Sequence, residues 1–511
     1  MKPRIRVALI AVVLAAASLP TAAVAGPQAC DKRTNNTINK LLECVTVDGV
    51  REHQAAFQAI ADANDGNRAA GTPGYEASVD YVVDTLEAAG YDVELNGFPF
   101  TYLPLGEIQQ LVPVSADYPT GSFSGTGFGD VTGNVVAVDL ALGTADWPAD
   151  PSTSSSGCEA SDFAGLDFSG SADIALTQRG TCFFSVKAIN AEAAGAEAVI
   201  IINQGTPTRV GPVSGNATSL PDGSPSNITV PLVGASFDAG NALAQLGSVA
   251  RVAIDPPVET TQFNVITELP GKNNDNVVMA GAHLDSVQQG PGIQDNGSGS
   301  AAILETAVQM AKVKPKNTVR FAWWGAEESG LVGSTAYVNG LSEEEIGDIA
   351  LYLNFDMIGS PNYVYFIYDG DDSDAVGAGP GPEGSAQIEE FYESFYEARG
   401  EPFKGTDFSG RSDYGPFIAV GIPAGGLFTG AEGVKSAEEA AIWGGTAGDQ
   451  YDPCYHLACD TFDNISLEAL DVNSDAVAAS VLSFGMNTQT VNGVKGKGNF
   501  KPQNQSFLPN T

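Results

Sequence analysis

A series of short apolar runs, alternating with a helical pattern between residues 277 and 355, constrains the fold most. Strand-type residues fill 277–282, 318–324 and 349–355, and a strongly apolar helix is predicted over 299–312. Strand–helix–strand alternation of this kind is typical of a parallel or mixed sheet covered by helices. We therefore predict an α/β fold with a mixed, mostly parallel central sheet.

Polar residues follow each of these three predicted strands. His283 follows the first strand, Glu327 and Glu328 follow the second, and Asp356 follows the third. Sites in open α/β sheets lie at the carboxyl ends of the strands. We therefore expect these side chains to lie together at one edge of the sheet.

The composition changes upstream of this region. Between 110 and 257, Gly, Ser, Thr and Pro rise, charge thins and short β-type runs such as 198–202 recur. This predicts a β-rich domain inserted into the main one. The main domain would then comprise 26–109 and 258–490, and the Gly-, Lys- and Asn-rich stretch 491–511 would be a loose tail.

The N-terminal part of the main domain carries helix and strand signals. Apolar spacing predicts an amphipathic helix over 76–89, with Gly90 as its C-cap, and alternation predicts a strand over 91–95. An earlier helical segment contains His53, which has no ligand-like neighbours in the sequence. We expect His53 to be structural.

The first 25 residues have the pattern of a signal peptide. Three basic residues precede the apolar run 7–19, and small residues at 23–25 form a cleavage site. The apolar run is shorter than the ~20 residues that a membrane span needs. We expect export as a secreted, soluble protein after cleavage near Ala25.

The charge balance limits the partners. Lys and Arg total 24 against 62 Asp and Glu, which gives a net charge of −38. Such a surface argues against nucleic acid and membranes as partners. It suits cationic ligands such as the N-terminal ammonium of a peptide, and we expect a monomer.

The 6 cysteines fall into pairs that are close in sequence. Export makes disulfides plausible, and the clustering favours Cys30 with Cys44, Cys158 with Cys182, and Cys454 with Cys459 among the possible connectivities. A cysteine-rich metal site is the weaker alternative because no CxxC is present.

Histidine and carboxylates together suggest a metal centre. The chain has 3 histidines, and two of them, His283 and His456, lie in carboxylate-rich segments. Imidazole nitrogen suits zinc, and several carboxylates would hold two dications close together. Asp295, in a turn before a helix, is the best candidate to bridge them.

The other carboxylates then take separate roles. Glu328 and Asp356 would each complete one metal site. Adjacent side chains point in different directions, so Glu327 would be free to act as the general base toward an activated water. Asp285 could orient the imidazole of His283. Any one of these residues could be purely structural, but the complete set in this order argues against that.

Five segments carrying these residues resemble the secreted di-zinc aminopeptidases, over residues 260–490 and more weakly over 50–105. They are Gly281-Ala-His-Leu-Asp-Ser-Val, Gln294-Asp-Asn-Gly-Ser-Gly, Trp324-Gly-Ala-Glu-Glu-Ser-Gly, Leu353-Asn-Phe-Asp-Met-Ile-Gly-Ser and Cys454-Tyr-His-Leu-Ala-Cys-Asp. The resemblance implies two Zn²⁺ per chain, the same ligands and the same base.

The resemblance adds two further residues. Arg411, in Phe408-Ser-Gly-Arg-Ser-Asp-Tyr, matches a family arginine that contacts substrate or product, although an internal salt bridge is an equal alternative. Tyr455 matches a residue that helps stabilise the tetrahedral oxyanion, where packing is the alternative.

The insert resembles another family. Segments 173–188 and 191–203 are similar to the protease-associated domain, and nothing in them suggests chemistry of their own. The resemblance leaves open whether this domain is a lid, a filter for substrate access or a spacer.

The sequence therefore predicts an exported di-zinc aminopeptidase that acts on N-termini of peptides and proteins, with large apolar N-terminal residues as the family-based preference. The alternatives are a carboxypeptidase or dipeptidase on the same scaffold, and a non-catalytic binding protein. A carboxypeptidase or dipeptidase would need more cationic side chains than Arg411 alone to bind the free carboxylate of its substrate. A serine hydrolase is disfavoured because the chain has no G-x-S-x-G.

Overall fold

The computed structural model describes residue 30 and residues 32–493, apart from 171, 207, 208, 376 and 378. The strands, in chain order, are β1 (Val93–Tyr102), β2 (Glu107–Val112), β3 (Ala116–Tyr118), β4 (Thr120–Gly121), β5 (Phe123–Ser124), β6 (Gly129–Ala137), β7 (Asp173–Gln178), β8 (Ala198–Ile202), β9 (Gly215–Asn216), β10 (Leu232–Ala235), β11 (Val249–Ile254), β12 (Val258–Leu269), β13 (Asn273–His283), β14 (Asn317–Trp324), β15 (Ile349–Phe355), β16 (Phe366–Tyr368), β17 (Lys404–Thr406) and β18 (Ala424–Phe428).

The helices follow the same order. They are α1 (Ile38–Leu42), α2 (Val47–Ala63), α3 (Pro73–Ala89), α4 (Phe184–Ala194), α5 (Phe237–Leu243), α6 (Gly297–Met310), α7 (Val332–Gly340), α8 (Glu343–Asp348), α9 (Ser385–Arg399), α10 (Tyr414–Ala419), α11 (Ala437–Trp443), α12 (Leu467–Met486) and α13 (Gln489–Asn492).

The main sheet has eight strands in the order β1-β12-β14-β13-β15-β18-β16-β17. β14, β13, β15 and β18 are mutually parallel, whereas β1 pairs antiparallel with β12, β12 with β14, and β16 with β18. The prediction of a mixed α/β sheet is confirmed. The carboxyl ends of the four parallel strands meet at one edge.

Helices cover both faces of this sheet. Successive residues of a strand point to opposite faces, so each central strand contributes side chains to two buried clusters. Val278 and Trp323 belong to the buried cluster that α2, α3, α6 and α12 cover. Met279 and Trp324 belong to the cluster on the other face, under α7 and α10. Both faces of the central strands are therefore apolar, which explains why their sequences are continuous apolar runs rather than alternating ones.

A second eight-stranded sheet, in the order β3-β2-β11-β6-β7-β8-β10-β4, forms between β1 and β12 of the first. It begins with β2 at Glu107, so the predicted start of the insert at 110 falls inside that strand. β1 pairs with β12 along the whole length of β1, and Tyr102 lies opposite Val258. Residues 103–257 thus leave the main sheet and return to it at adjacent strand ends.

The three predicted disulfides are present: Cys30–Cys44, Cys158–Cys182 and Cys454–Cys459. His53 lies on α2, where its Nδ1 is 2.7 Å from the Tyr81 hydroxyl. Within the described part of the chain, no helix has the length and apolarity to cross a membrane. The predicted signal peptide at 1–25 and most of the predicted tail, from 494 on, lie outside the described residues.

Candidate metal centre

Parallel strands bring four of the predicted site residues together. His283 is the last residue of β13, Asp356 directly follows β15, and Glu327 and Glu328 follow β14 by three and four residues. β13 lies between β14 and β15 in the sheet. The carboxyl ends of these strands therefore deliver one imidazole and three carboxylates to the same edge, as predicted.

The remaining two candidates come from loops. Asp295 precedes α6, whose N-cap Asn296 accepts a hydrogen bond from the amide of Gly299 at 2.9 Å. His456 lies inside the loop closed by the Cys454–Cys459 disulfide and has a φ of 57°. A left-handed φ at a non-glycine residue is strained, and such strain often accompanies functional sites.

Asp295 lies between the two imidazoles. Its Oδ1 is 3.2 Å from Nε2 of His283, and its Oδ2 is 3.2 Å from Nε2 of His456. Oδ1 of Asp356 lies 3.3 Å from Nε2 of His283. Oε2 of Glu328 lies 2.9 Å from Nε2 of His456. The geometry therefore gives two neighbouring sets of N and O donors that share one carboxylate.

The donor set fits divalent cations. Oε1 of Glu328 and Oδ1 of Asp356 are buried without a hydrogen-bond partner in the protein. Buried carboxylate oxygens without protein donors are expensive unless a cation compensates them. Imidazole nitrogen with carboxylate oxygen is a typical zinc donor set.

Electrostatics in the cluster are strongly perturbed. Burial, together with the charges of Glu328 and Asp356, raises the pKa of Glu327 well above its ordinary value, although His283 opposes the shift. Burial raises the pKa of Glu328 to about 7, against the opposing effect of His456. Burial alone would lower the pKa of His283, but Asp356 and Glu327 outweigh it and raise that pKa. The carboxylates are thus crowded enough to require positive charge nearby.

Asp285 contacts both His283 and the segment that carries the two glutamates. Nδ1 of His283 is 3.0 Å from the backbone carbonyl of Asp285 and 3.7 Å from its carboxylate, so a role in orienting this imidazole stays a prediction. The carboxylate also accepts hydrogen bonds from the amides of Glu327 at 3.1 Å and Glu328 at 3.3 Å. Asp285 therefore holds the backbone that carries both glutamates.

Two buried charged residues support the loop that carries Asp295. Asp460 accepts hydrogen bonds from the amides of Gln294 at 2.8 Å and Asp295 at 3.0 Å. The fully buried guanidinium of Arg68 donates to the carbonyls of Leu284, Pro291 and Gly292. The sequence offered no signal for Arg68, because its partners lie more than 200 positions away in the chain.

Ser412 is a further residue that the sequence did not single out. Its hydroxyl donates to Oδ2 of Asp356 at 2.6 Å and accepts from Nδ2 of Asn354 at 2.8 Å. This contact occupies one oxygen of Asp356 and turns the other toward His283. The only available signal was its position next to Arg411 in the quoted motif.

Tyr455 and Arg411 lie at the mouth of the cleft. The Tyr455 ring stacks on the imidazole of His456 with a centroid distance of 3.8 Å. Arg411 donates to the Tyr455 hydroxyl at 3.3 Å and forms an ion pair with Glu432 at 2.8 Å. The salt bridge considered for Arg411 is therefore present, and its contact with substrate or product stays a prediction.

The cleft has an acidic floor and an apolar wall. The floor carries Asp295, Glu327, Glu328 and Asp356. The wall is formed by Met357, Tyr368, Tyr414, Phe428 and Ala431. Such a cleft can accommodate an amine next to an apolar side chain.

The fold and this site define a metallo-exopeptidase, and comparison with known proteins identifies its family. A model of peptidase family M28 matches residues 264–481, and a model of the PA domain matches residues 131–243. The chain belongs to family M28 and carries an inserted PA domain, the protease-associated domain that the sequence predicted. Aminopeptidase activity is the activity of its relatives.

Three relatives illustrate the match. An aminopeptidase from Pseudomonas aeruginosa is 48% identical over 477 residues, covering 91% of this chain and 86% of the relative. A probable lipoprotein aminopeptidase from Mycobacterium tuberculosis, LpqL, is 42% identical over 457 residues, covering 88% and 87%. The structure of BSAP, a zinc aminopeptidase from Bacillus subtilis, aligns with a TM-score of 0.65 at 26% identity, covering 88% of this chain and 97% of that one.

Proposed function

We propose that this protein is an exported aminopeptidase with two zinc ions, which removes N-terminal residues, preferentially large apolar ones, from peptides and proteins. The observation that carries the proposal is the position of Asp295 between His283 and His456, at 3.2 Å from each. A carboxylate with one oxygen toward each imidazole suits a bridging ligand. The name of the Bacillus subtilis structure supports zinc as the metal.

We assign the two proposed zinc sites from these distances. His283 and Asp356 would hold one ion, His456 and Glu328 the other, and Asp295 would bind both. When bound, two such ions lower the pKa of a coordinated water and polarise the substrate carbonyl. The positions of Asp285, Ser412 and Asp460 keep the ligand side chains oriented.

Glu327 is proposed as the general base. Its Oε2 is 3.9 Å from Nε2 of His283, farther than Asp295 or Asp356, so it borders the ligand set without completing it. Burial and neighbouring carboxylates raise its pKa, which matches a group that accepts and returns a proton. Glu327 would take a proton from the attacking water and deliver it to the leaving amine.

Tyr455 is proposed to donate a hydrogen bond to the oxyanion that forms on the substrate carbonyl. Its hydroxyl already accepts from Arg411, so its own proton is free to point into the cleft. Arg411 would orient Tyr455 and contact the substrate. Such a donor contributes by stabilising charge that develops only in the transition state.

The cleft supports exopeptidase specificity. Carboxylates of the floor, Glu327 and Asp356 among them, can receive the α-ammonium of a substrate, and the apolar wall can receive its side chain. The carboxypeptidase or dipeptidase alternative is not favoured, because Arg411 is the one fixed cation among the described residues that line the cleft. The relatives are aminopeptidases as well.

Export is proposed from the signal-like N-terminus together with the three disulfides. We propose that the protein is a monomer that binds neither nucleic acid nor membranes, in keeping with its net charge of −38. The PA domain would control access to the cleft or act as a spacer.

The test is Glu327→Ala, with Glu344→Ala, an exposed residue of α8, as the matched control. We expect Glu327→Ala to retain about two zinc ions per chain and to lose at least ~10²-fold in activity on leucine p-nitroanilide. Full activity in this variant would refute Glu327 as the base. Cleavage of N-acetyl-leucine p-nitroanilide by the wild type would refute the aminopeptidase assignment.

A further inference from the structure

The rim of the cleft carries an ion pair whose acidic member, Glu432, has no part in the catalytic assignments. Glu432 contacts Arg411 at 2.8 Å, and both side chains are partly open to solvent, at 47% and 62% exposure. Arg411 lines the cleft, and Glu432 follows Ala431, which also lines it. The pair therefore lies at the solvent-facing edge of the cleft, beside residues that line it.

The backbone holds Glu432 in place relative to the catalytic loop. The carbonyl of Ala431 accepts the amide of Asp452 at 2.9 Å, and the carbonyl of Gly433 accepts the amide of Tyr451 at 2.8 Å. These bonds flank Glu432 and tie it to the segment that leads into Tyr455. Its carboxylate is thus presented to Arg411 by a fixed backbone rather than by a free loop.

Both terminal nitrogens of Arg411 are engaged. Nη1 donates to Oε1 of Glu432, and Nη2 donates to the Tyr455 hydroxyl at 3.3 Å. A carboxylate binds an arginine most strongly through two parallel N–H bonds. A free carboxylate in a substrate would therefore have to displace Glu432 to bind Arg411 end-on, through Nη1 and Nη2 together.

The surroundings strengthen this effect. Besides Arg411, the described lining of the cleft offers no lysine or arginine, and it includes five carboxylates, namely Asp295, Glu327, Glu328, Asp356 and Asp407. A substrate carboxylate therefore meets no second lysine or arginine among these lining residues.

We propose that Glu432 is a specificity-determining residue: by occupying Arg411, it disfavours substrates that carry a free carboxylate on the residue after the scissile bond. Dipeptides have that carboxylate, whereas longer peptides and C-terminal amides do not. The enzyme is thereby directed to the N-termini of longer chains. This inference rests on the proposed aminopeptidase function.

The test compares Leu-Phe with Leu-Phe-amide, which share the scissile bond and the free amine and differ only in the terminal carboxylate. We expect Glu432→Gln to raise the ratio of kcat/KM for Leu-Phe over Leu-Phe-amide about fivefold, the upper range for an exposed ion pair. The rise in this ratio should come from a lower KM for Leu-Phe. Glu438→Gln, an exposed position in the first turn of α11, removes the same charge nearby and should leave the ratio unchanged.

A second comparison isolates Arg411. In the Arg411→Ala background, Glu432→Gln should produce no gain, because the competing partner is gone. The proposal is overturned if Glu432→Gln leaves the ratio of kcat/KM for Leu-Phe over Leu-Phe-amide unchanged. It is also overturned if Glu432→Gln raises this ratio equally in the Arg411→Ala background, because Glu432 would then repel the substrate carboxylate directly. Failure of the wild type to cleave either substrate would refute the proposed function itself.

Discussion

Replacing Asp285 with asparagine should weaken both halves of the candidate metal centre. The Asp285 carboxylate accepts the amides of Glu327 and Glu328 with separate oxygens, at 3.1 and 3.3 Å. Asparagine offers one acceptor oxygen, and its amino group would face the second amide. Because Asp285 is fully buried, water cannot replace the lost acceptor.

The magnitude follows from these contacts. A buried N–H left without an acceptor costs about 1–3 kcal/mol. Burial lowers the pKa of the Arg68 guanidinium to about 10, and Asp285 is the carboxylate that opposes this shift most. Part of the cost should be relieved by movement of the glutamate backbone. Loss of such supporting contacts reduces metal affinity or activity about 10–100-fold.

The assay is zinc content after dialysis at a free zinc concentration that just saturates the wild type, together with kcat/KM on leucine p-nitroanilide. We expect fewer than two zinc ions per chain in Asp285→Asn and a loss in kcat/KM of at least about 10-fold. Asp275→Asn, exposed on the same strand as His283, is the control and should behave as the wild type. Zinc affinity and kcat/KM within twofold of the wild type in Asp285→Asn would refute this reasoning.

Three further predictions concern the metal, the disulfide loop and the insert. Chelation of the metal should abolish activity and lower Tm, because the buried carboxylates then lose their compensating cations. Activity should return when two equivalents of zinc are added. Full recovery with one equivalent would contradict a two-metal centre. Replacing both Cys454 and Cys459 with serine should lower zinc retention, since this loop carries Tyr455 and His456, whereas the matched change of Cys158 and Cys182 should leave zinc content unaltered. Burial lowers the pKa of Lys187 to about 8. Between pH 8 and 10.5 the unfolded chain therefore binds this proton more tightly than the folded chain does. The free energy of unfolding should rise with pH in that window by up to about 3 kcal/mol. Calorimetry should therefore show the Tm of the wild type rising relative to that of Lys187→Met from pH 8 to pH 10; a constant difference would contradict the assignment.

The sequence predicted best the elements whose apolar character is continuous. The strands at 198–202 and 349–355 have the predicted bounds, because both faces of each are buried. β1 extends to Tyr102, well past its predicted end at 95. In the sequence, Asn96-Gly97 and Pro99 look like a turn. β1 lies at the edge of the sheet, however, and an edge strand tolerates a proline because one side of it forms no hydrogen bonds to a neighbouring strand.

Helix starts were predicted less well. α3 begins at Pro73 rather than at 76, because proline without its N–H is well suited to the first turn of a helix. In the sequence the same proline belonged to a cluster of turn residues.

The candidate site shows the same division. His283, Glu327, Glu328 and Asp356 could be predicted because each follows an identifiable strand, and parallel strands bring their ends together. Arg68 and Ser412 could not, because their roles depend on contacts between segments that are distant in the chain. Spacing along a sequence carries no information about such contacts.

The pairing of Tyr102 with Val258 has a consequence for how this architecture can vary. In topological terms, the whole PA domain is the loop of a β-hairpin whose two arms are β1 and β12. A short turn joining those arms would close the catalytic sheet without changing its strand order. The PA domain can therefore be gained, exchanged or lost as a module, while the strands that carry the site keep their connections.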